Sequence, residues 1–287
     1  MDDLRPTSAD GTVVHGWVTG SGTPVLLCDG LGSSAAAWPA LVAAGSGLQV
    51  AGWHYRGLGG SPRPRDETRI TVDDHIDDAL AVLDAAGLAR AVVVSWSIGV
   101  NVAFELARRA PDRVAGVMAV AGVPGGTFGA MLGALPLPAR LRLGAAVSTA
   151  HVMRAAAPLI GPLARRVAPT PRLIRALVAT RLVDDGVDVD AMCETMEVFR
   201  QHDVRWYFTL ALALVDHLPM ELRDVGCPVL FVAGTSDHLT AHSDVSRAAA
   251  RVPDAQLEVL PGTHYLPVEH PTAMRALLSR LVERTSA

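Results

Sequence analysis

Three residues with the right chemistry for acyl transfer, Ser97, Asp237 and His264, are widely separated in this 287-residue chain, and each follows its own strand-like run. Ser97 lies in Val92-Val93-Val94-Ser95-Trp96-Ser97-Ile98-Gly99-Val100, where β-branched valines end abruptly in small-x-Ser-x-small. An apolar, Ala-rich segment at helical spacing follows, from Val100 to Ala110. That pattern predicts a strand, a very sharp turn and a helix, with the Ser97 hydroxyl held out at the apex. The first small position is Ser95 where glycine is the commoner choice, and it still fits a crowded turn. Ser95 is a poor apex itself, because its own preceding small position would be Val93.

Serine alone is a poor nucleophile. Acyl hydrolysis also needs a base, a group that orients the base, and donors for the oxyanion. The run Val229-Leu230-Phe231-Val232-Ala233-Gly234-Thr235-Ser236-Asp237 ends an apolar strand at a glycine and places a carboxylate in the loop. Leu257-Glu258-Val259-Leu260-Pro261-Gly262-Thr263-His264 repeats the arrangement with a histidine. Sites in open parallel sheets collect at strand ends, so all three groups can reach one rim. His264 would take the Ser97 proton, while Asp237 would hold the imidazole tautomer and stabilise the imidazolium. Leu26-Leu27-Cys28-Asp29-Gly30-Leu31-Gly32-Ser33-Ser34 adds a strand that runs into a glycine loop. The backbone N–H groups of Leu31 and Ile98 are the expected oxyanion donors. Taken singly, each feature has a plainer reading: a helix-capping serine, a turn aspartate, a surface histidine, an ordinary strand-to-helix loop.

The elements that must position these groups alternate along the chain. Strands are expected at 13–18, 25–28, 48–55, 91–96, 114–123, 228–233 and 256–260, and helices at 35–44, 73–86, 242–250 and 271–282. Such alternation implies a mostly parallel sheet covered on both faces. From about Pro124 to Pro219 the chain becomes helix-rich and punctuated by proline. Residues 140–183 carry eight arginines and no acid, and 184–197 carry six acids and no base. The arginines are expected to pair with those later acids on a solvated face, with attraction to anionic groups or a membrane surface as the alternative. The span Val189–His217 reads as one helix or two, with His202-Asp203 mid-way as a solvated or capping pair. Trp206, Tyr207, Phe208 and Leu210 are expected inside the block.

Bulk properties narrow the function. Half of the residues are hydrophobic, and a chain of this length buries roughly 75% of its unfolded surface without staples. A net charge of −4 argues against a nucleic-acid partner. Cys28, Cys193 and Cys227 do not read as a disulfide framework, so a reducing cytoplasm is expected. Met1 to Pro6 reads as neither a signal nor a transit peptide. Residues 114–139 hold no charge, but Pro124, Gly125, Gly126, Pro136 and Pro138 argue for a buried strand and a loop over a spanning helix. All 25 basic residues are arginine, which excludes lysine Schiff-base chemistry and the lysine of a P-loop. His238 and His242 lie four apart, but Leu239 stands where a zincin motif needs glutamate. No metal and no cofactor is expected.

With these motifs the chain resembles the α/β-hydrolase superfamily, as a serine hydrolase with a helical cap. Further likeness lies in Arg56-Gly57-Leu58-Gly59-Gly60-Ser61 and Thr263-His264-Tyr265-Leu266-Pro267-Val268-Glu269. The resemblance implies an eight-stranded, mostly parallel sheet with helices on both faces. It implies a core of 1–123 and 220–287 and a cap of 124–219. It puts the triad on Ser97, Asp237 and His264, the last two following the seventh and eighth strands. The substrate expected is a hydrophobic small molecule with an ester or related acyl bond. Lactonase, thioesterase, carbon–carbon bond hydrolase, acyltransferase and perhydrolase chemistry, or ligand binding without catalysis, stay open. Relatives with haloalkane dehalogenase or epoxide hydrolase chemistry use aspartate at the apex. Two positions depart from the family: Asp29 stands where relatives carry histidine, and His54 where they carry aspartate. A reciprocal Asp29–His54 hydrogen bond across adjacent strand ends is the expected consequence, with two unrelated substitutions as the alternative. The cytoplasm is the expected location, with no stable membrane insertion.

Overall fold

The valine-rich runs form the centre of a single eight-stranded sheet in the order β1-β2-β4-β3-β5-β6-β7-β8. The computed structural model describes residues 1–125, 138–215 and 221–285. The strands are β1 (Asp2–Leu4), β2 (Gly16–Gly20), β3 (Thr23–Cys28), β4 (Leu48–Trp53), β5 (Ala91–Trp96), β6 (Val114–Val120), β7 (Val229–Gly234) and β8 (Ala255–Leu260). β1 and β2 pair antiparallel, as do β2 and β4, and every other pairing is parallel. Seven of these strands coincide with the expected runs. β1 does not, because three residues beginning with two exposed aspartates carry no alternation to read.

The central strands are apolar without a break because both sheet faces are covered. Leu26, Cys28 and Val93 point into one layer, with α2 (Val72–Ala85), α3 (Gly99–Arg109) and α8 (His242–Ala249). Val25, Leu27, Val92 and Val94 point into the other, with α1 (Pro39–Val42) and α10 (Pro271–Thr285). The four-residue α9 (Leu266–Glu269) lies between β8 and α10.

Between β6 and β7 the chain builds α4 (Ala139–Arg166), α5 (Pro171–Ala179), α6 (Val189–Arg200) and α7 (Val204–Ala213). The span expected as one helix or two is two, because Asp203 caps α7 by accepting from the Trp206 amide. Its end at His217, and the loop expected within 126–137, lie outside the described residues. Helix-forming sequence alone would not anchor this block, and four specific contacts do. His202 Nε2 donates to the Gly32 carbonyl at 2.8 Å, and Trp206 Nε1 to the Arg56 carbonyl at 2.7 Å. Arg63 pairs with Asp203 at 2.8 Å while its guanidinium lies over the Trp206 ring. The Asp184 amide donates to Glu269.

Arg56 is the polar anchor of the loop after β4. Its side chain is 0% exposed and meets Asp78 at 2.7 Å and Asp10 at 2.6 Å, with further bonds to the Arg69 carbonyl and Ser8. Removing one partner of such a buried pair strands the other charge, so Arg56→Ala is expected to cost about 3–5 kcal/mol. Urea denaturation of the purified variant checks this, and a loss below about 1 kcal/mol would show that the pair contributes little.

Candidate active site

Backbone crowding comes first. After β5 the chain turns into α3 through Ser97, whose φ is +55°, a left-handed conformation rare for a residue with a side chain. The turn can be this tight only because glycine flanks it. A Cβ on Gly99 would stand 1.9 Å from the Cys28 carbonyl oxygen, and one on Gly122 would stand 2.4 Å from the Ser97 oxygen. The Ser97 amide is tied to the Val120 carbonyl at 2.9 Å, which fixes the apex against the neighbouring strand.

The hydroxyl so presented meets His264. Ser97 Oγ and His264 Nε2 are 2.9 Å apart, and His264 Nδ1 lies 2.9 Å from Asp237 Oδ2. The Asp237 carboxylate selects the tautomer in which Nδ1–H donates, leaving Nε2 to accept the serine proton. Asp237 is itself buried, and its Oδ1 accepts from the amides of Leu239 and Thr240, both at 2.8 Å. The three residues expected to converge are therefore within mutual proton-transfer reach. The donors expected for the oxyanion, Leu31 N–H and Ile98 N–H, lie in the glycine loop after β3 and at the start of α3. Among the described residues neither is used by a protein acceptor.

The histidine loop depends on Glu269, a residue that the sequence presents only as the end of a motif. Glu269 is almost fully buried and accepts from the Thr263 amide, the Thr263 hydroxyl and the Asp184 amide. It fixes the residue before His264 and reaches the helical insertion. Trp96 Nε1 donates to the His264 carbonyl at 2.8 Å and closes the loop from the other side. A signal was present in the sequence, since a glutamate five residues after the histidine in an apolar turn must find donors or pay for burial.

The expected Asp29–His54 hydrogen bond is not formed. β3 and β4 are neighbours, as that bond would require. However, Asp29 Oδ1 accepts from the Gly30 amide at 2.8 Å and Trp38 Nε1 at 3.1 Å, and Oδ2 has no hydrogen-bond partner. His54 packs on His15, with ring centroids 5.3 Å apart. Burial, with His15 and His202 nearby, pulls its pKa down to about 4, so it supplies no cation to answer Asp29. The two side chains turn to different neighbours, Asp29 to the amide and indole of its own loop and His54 to the His15 ring.

Residues 23–162 match the family model described as the alpha/beta hydrolase fold. A Caulobacter segnis protein that bears the name carbamate hydrolase RutD is 39% identical over 110 residues, covering 38% of this chain and 41% of that protein. A protein of the same name from Caulobacter sp. strain K31 is 28% identical over 96% of both chains. The chain thus spans less than half of the first relative but nearly all of the second. A solved esterase from Thermogutta terrifontis superposes with a TM-score of 0.73 at 20% identity over all of both chains. An enol-lactonase from Burkholderia xenovorans LB400 also gives 0.73 at 20% identity, over 98% of this chain and 100% of its own. The chain has the α/β-hydrolase fold.

Two outcomes follow from the site. Because φ at the apex is positive, Ser97→Gly should be more stable than Ser97→Ala by about 1 kcal/mol, read from paired urea curves. The Asp29 carboxyl is raised to about 7 by burial, against the hydrogen bonds from Trp38 and Gly30. An unfolded aspartate titrates near 3.9, so between about pH 4 and 7 the folded protein holds a proton that the unfolded chain has lost. Stability therefore falls as pH rises through that window and is level above it. Asn at this position keeps the acceptor and removes the charge. The Tm gain of Asp29→Asn over wild type should grow by a few degrees between about pH 5 and pH 8 in scanning calorimetry.

Proposed function

We propose that the chain is a serine hydrolase that cleaves a carboxylic ester or related acyl bond of a hydrophobic small molecule through an acyl-enzyme on Ser97. The observation that carries this reading is the unbroken Ser97–His264–Asp237 hydrogen-bond chain at 2.9 Å per link. Ser97 Oγ attacks the acyl carbon as His264 Nε2 takes its proton. The carbonyl oxygen becomes an oxyanion facing the Leu31 and Ile98 amides, a pair in which each donor is worth about 10²–10³ in rate. His264 then gives its proton to the leaving group, and the bond to that group breaks. Water, deprotonated by the same imidazole, attacks the acyl-enzyme and releases the acid, restoring Ser97. Asp237 remains a carboxylate throughout.

Apolar surroundings support a hydrophobic substrate. The glycine loop lies under Phe199, His202 and Tyr207 of the helical insertion, all of which a Cβ on Gly32 would touch within 3.2 Å. We read residues 124–219 as a cap over a core of 1–123 and 220–287, with substrate entering between them. An ester and a carbamate both present the carbonyl that this attack needs, and the name carried by the similar Caulobacter proteins fits the second. No cofactor or metal enters the cycle. Free thiols at Cys28, Cys193 and Cys227 are consistent with a cytoplasmic setting.

A fluorophosphonate probe should label the protein, and the label should disappear in Ser97→Ala while persisting in Cys193→Ala. On p-nitrophenyl esters of graded chain length, Asp237→Asn should lower kcat by about 10⁴ with its fold intact. Esterase activity that survives Ser97→Ala would refute the nucleophile assignment. Acyl transfer to added alcohol in place of free acid would assign the chain to acyltransferases instead.

A further inference from the structure

Helix α4 is apolar on the side that faces water. Its inner face is built from small residues: Ala146, Ala150 and Ala157 are buried, the first two in the cluster that includes Leu210 and Ala211 of α7. The large side chains point the other way. Leu141, Val152, Leu159 and Leu163 are spaced 11, 7 and 4 apart, which is one stripe at helical period. Val152 is 64% exposed, Leu159 79% and Leu163 62%. Val167, just beyond the helix, and Phe199 of α6 extend this exposed surface around an apolar groove of about 240 Å³. A helix that only had to cover the core would have the opposite arrangement.

Charge identifies what meets that face. The expected pairing of the arginine-rich segment with the later acids does not occur. Of the eight arginines in 140–183, only Arg142 has a carboxylate partner among the described residues, Asp244 at 3.5 Å. Two of the later acids are used locally: Asp188 caps α6, and Glu197 pairs with Arg200. Arg165, Arg166, Arg172 and Arg175 are exposed at the end of α4 and along α5. The net positive segment sits in a chain of net charge −4. A second copy docking through the same face would bring two sets of unpaired arginines together. A layer of hydrocarbon bordered by anionic headgroups matches both the stripe and its arginines.

We propose that the outer face of α4 docks the enzyme onto an anionic lipid surface, with Val152, Leu159 and Leu163 at the acyl boundary and the flanking arginines on the headgroups. By length and composition residues 140–166 could cross a bilayer. The small-residue face packed on α7, together with Pro158 and Pro162 within the helix, keeps α4 in the fold and lying along the interface. The proposal does not depend on the reaction at Ser97, and its test does not read activity.

The full chain is sedimented with vesicles of pure phosphatidylcholine and of equimolar phosphatidylcholine and phosphatidylglycerol. Wild type should partition to the anionic vesicles at least about tenfold more strongly than to the neutral ones. The triple variant Val152→Ser, Leu159→Ser, Leu163→Ser should lose on the order of tenfold or more in binding, with an unchanged circular dichroism spectrum. Arg165→Gln with Arg166→Gln should reduce the preference for anionic vesicles. Wild type that stays in the supernatant with both vesicles, or a triple variant that binds as wild type does, would overturn the proposal. So would light scattering that finds a wild-type dimer and a monomeric triple variant, since a second copy would then cover the face.

Discussion

The backbone contact between the start of α3 and the ends of β3 and β6 is the constraint on which the site rests. A single methyl group on Gly99 would overlap the Cys28 carbonyl, and one on Gly122 would overlap Ser97. With those carbons absent, the three segments close up, and the residue at the apex is forced to φ +55°. Backbone strain of this kind costs about 1–3 kcal/mol and persists only where surrounding structure over-determines it. Here β5 is held on one side by β3 and on the other by β6, and the Ser97 amide is bonded directly to β6. The hydroxyl is consequently placed by rigid elements and not by its own rotamer preference alone. A hydroxyl held this way needs little further ordering to meet the imidazole.

That partner is held by carboxylates with different roles. Asp237 faces the imidazole and is fixed by two amides of its own loop. Glu269 never touches the imidazole; it gathers the Thr263 amide and hydroxyl beneath it. Because Glu269 also accepts from the Asp184 amide, and His202 donates to Gly32, the helical insertion is bonded to both the histidine loop and the glycine loop. A displacement of these helices would pull on the loop that carries His264 and on the glycine loop that carries Leu31 together. Asp29 acts elsewhere, organising the glycine loop through Gly30 and Trp38 while leaving one buried oxygen without a partner.

Much of the fold was legible because burial on both sheet faces leaves a strong mark. The central strands β3, β5, β6 and β7 are apolar runs with turn residues at their ends, whereas Asp2–Leu4 acquires its strand identity only by pairing with β2. The break between α6 and α7 depended on whether Asp203 would turn its carboxylate back to the Trp206 amide, a local choice that Val189–His217 leaves open. For Asp29 and His54, family strand order was enough to infer that their strands are adjacent, but not where the side chains would turn: Asp29 bonds within its own loop and His54 packs on His15. The arginine-rich segment differed for a related reason: opposite charges close in sequence need not share a surface, and here Asp188 and Glu197 turned to their own helix.

The sequence by itself determined the chemical types and their order: a serine after a valine run, an acid and a histidine each after a later strand, and glycines where backbones would collide. These are local matters, set by steric limits at a turn and by the period of apolar residues. Only the tertiary structure decided that the hydroxyl, imidazole and carboxylate stand 2.9 Å apart, that Glu269 supports the histidine loop, and that α4 turns its leucines outward. Those outcomes depend on competition among partners brought together across the fold, and a hydrogen bond or a buried face goes to whichever group arrives with the right geometry.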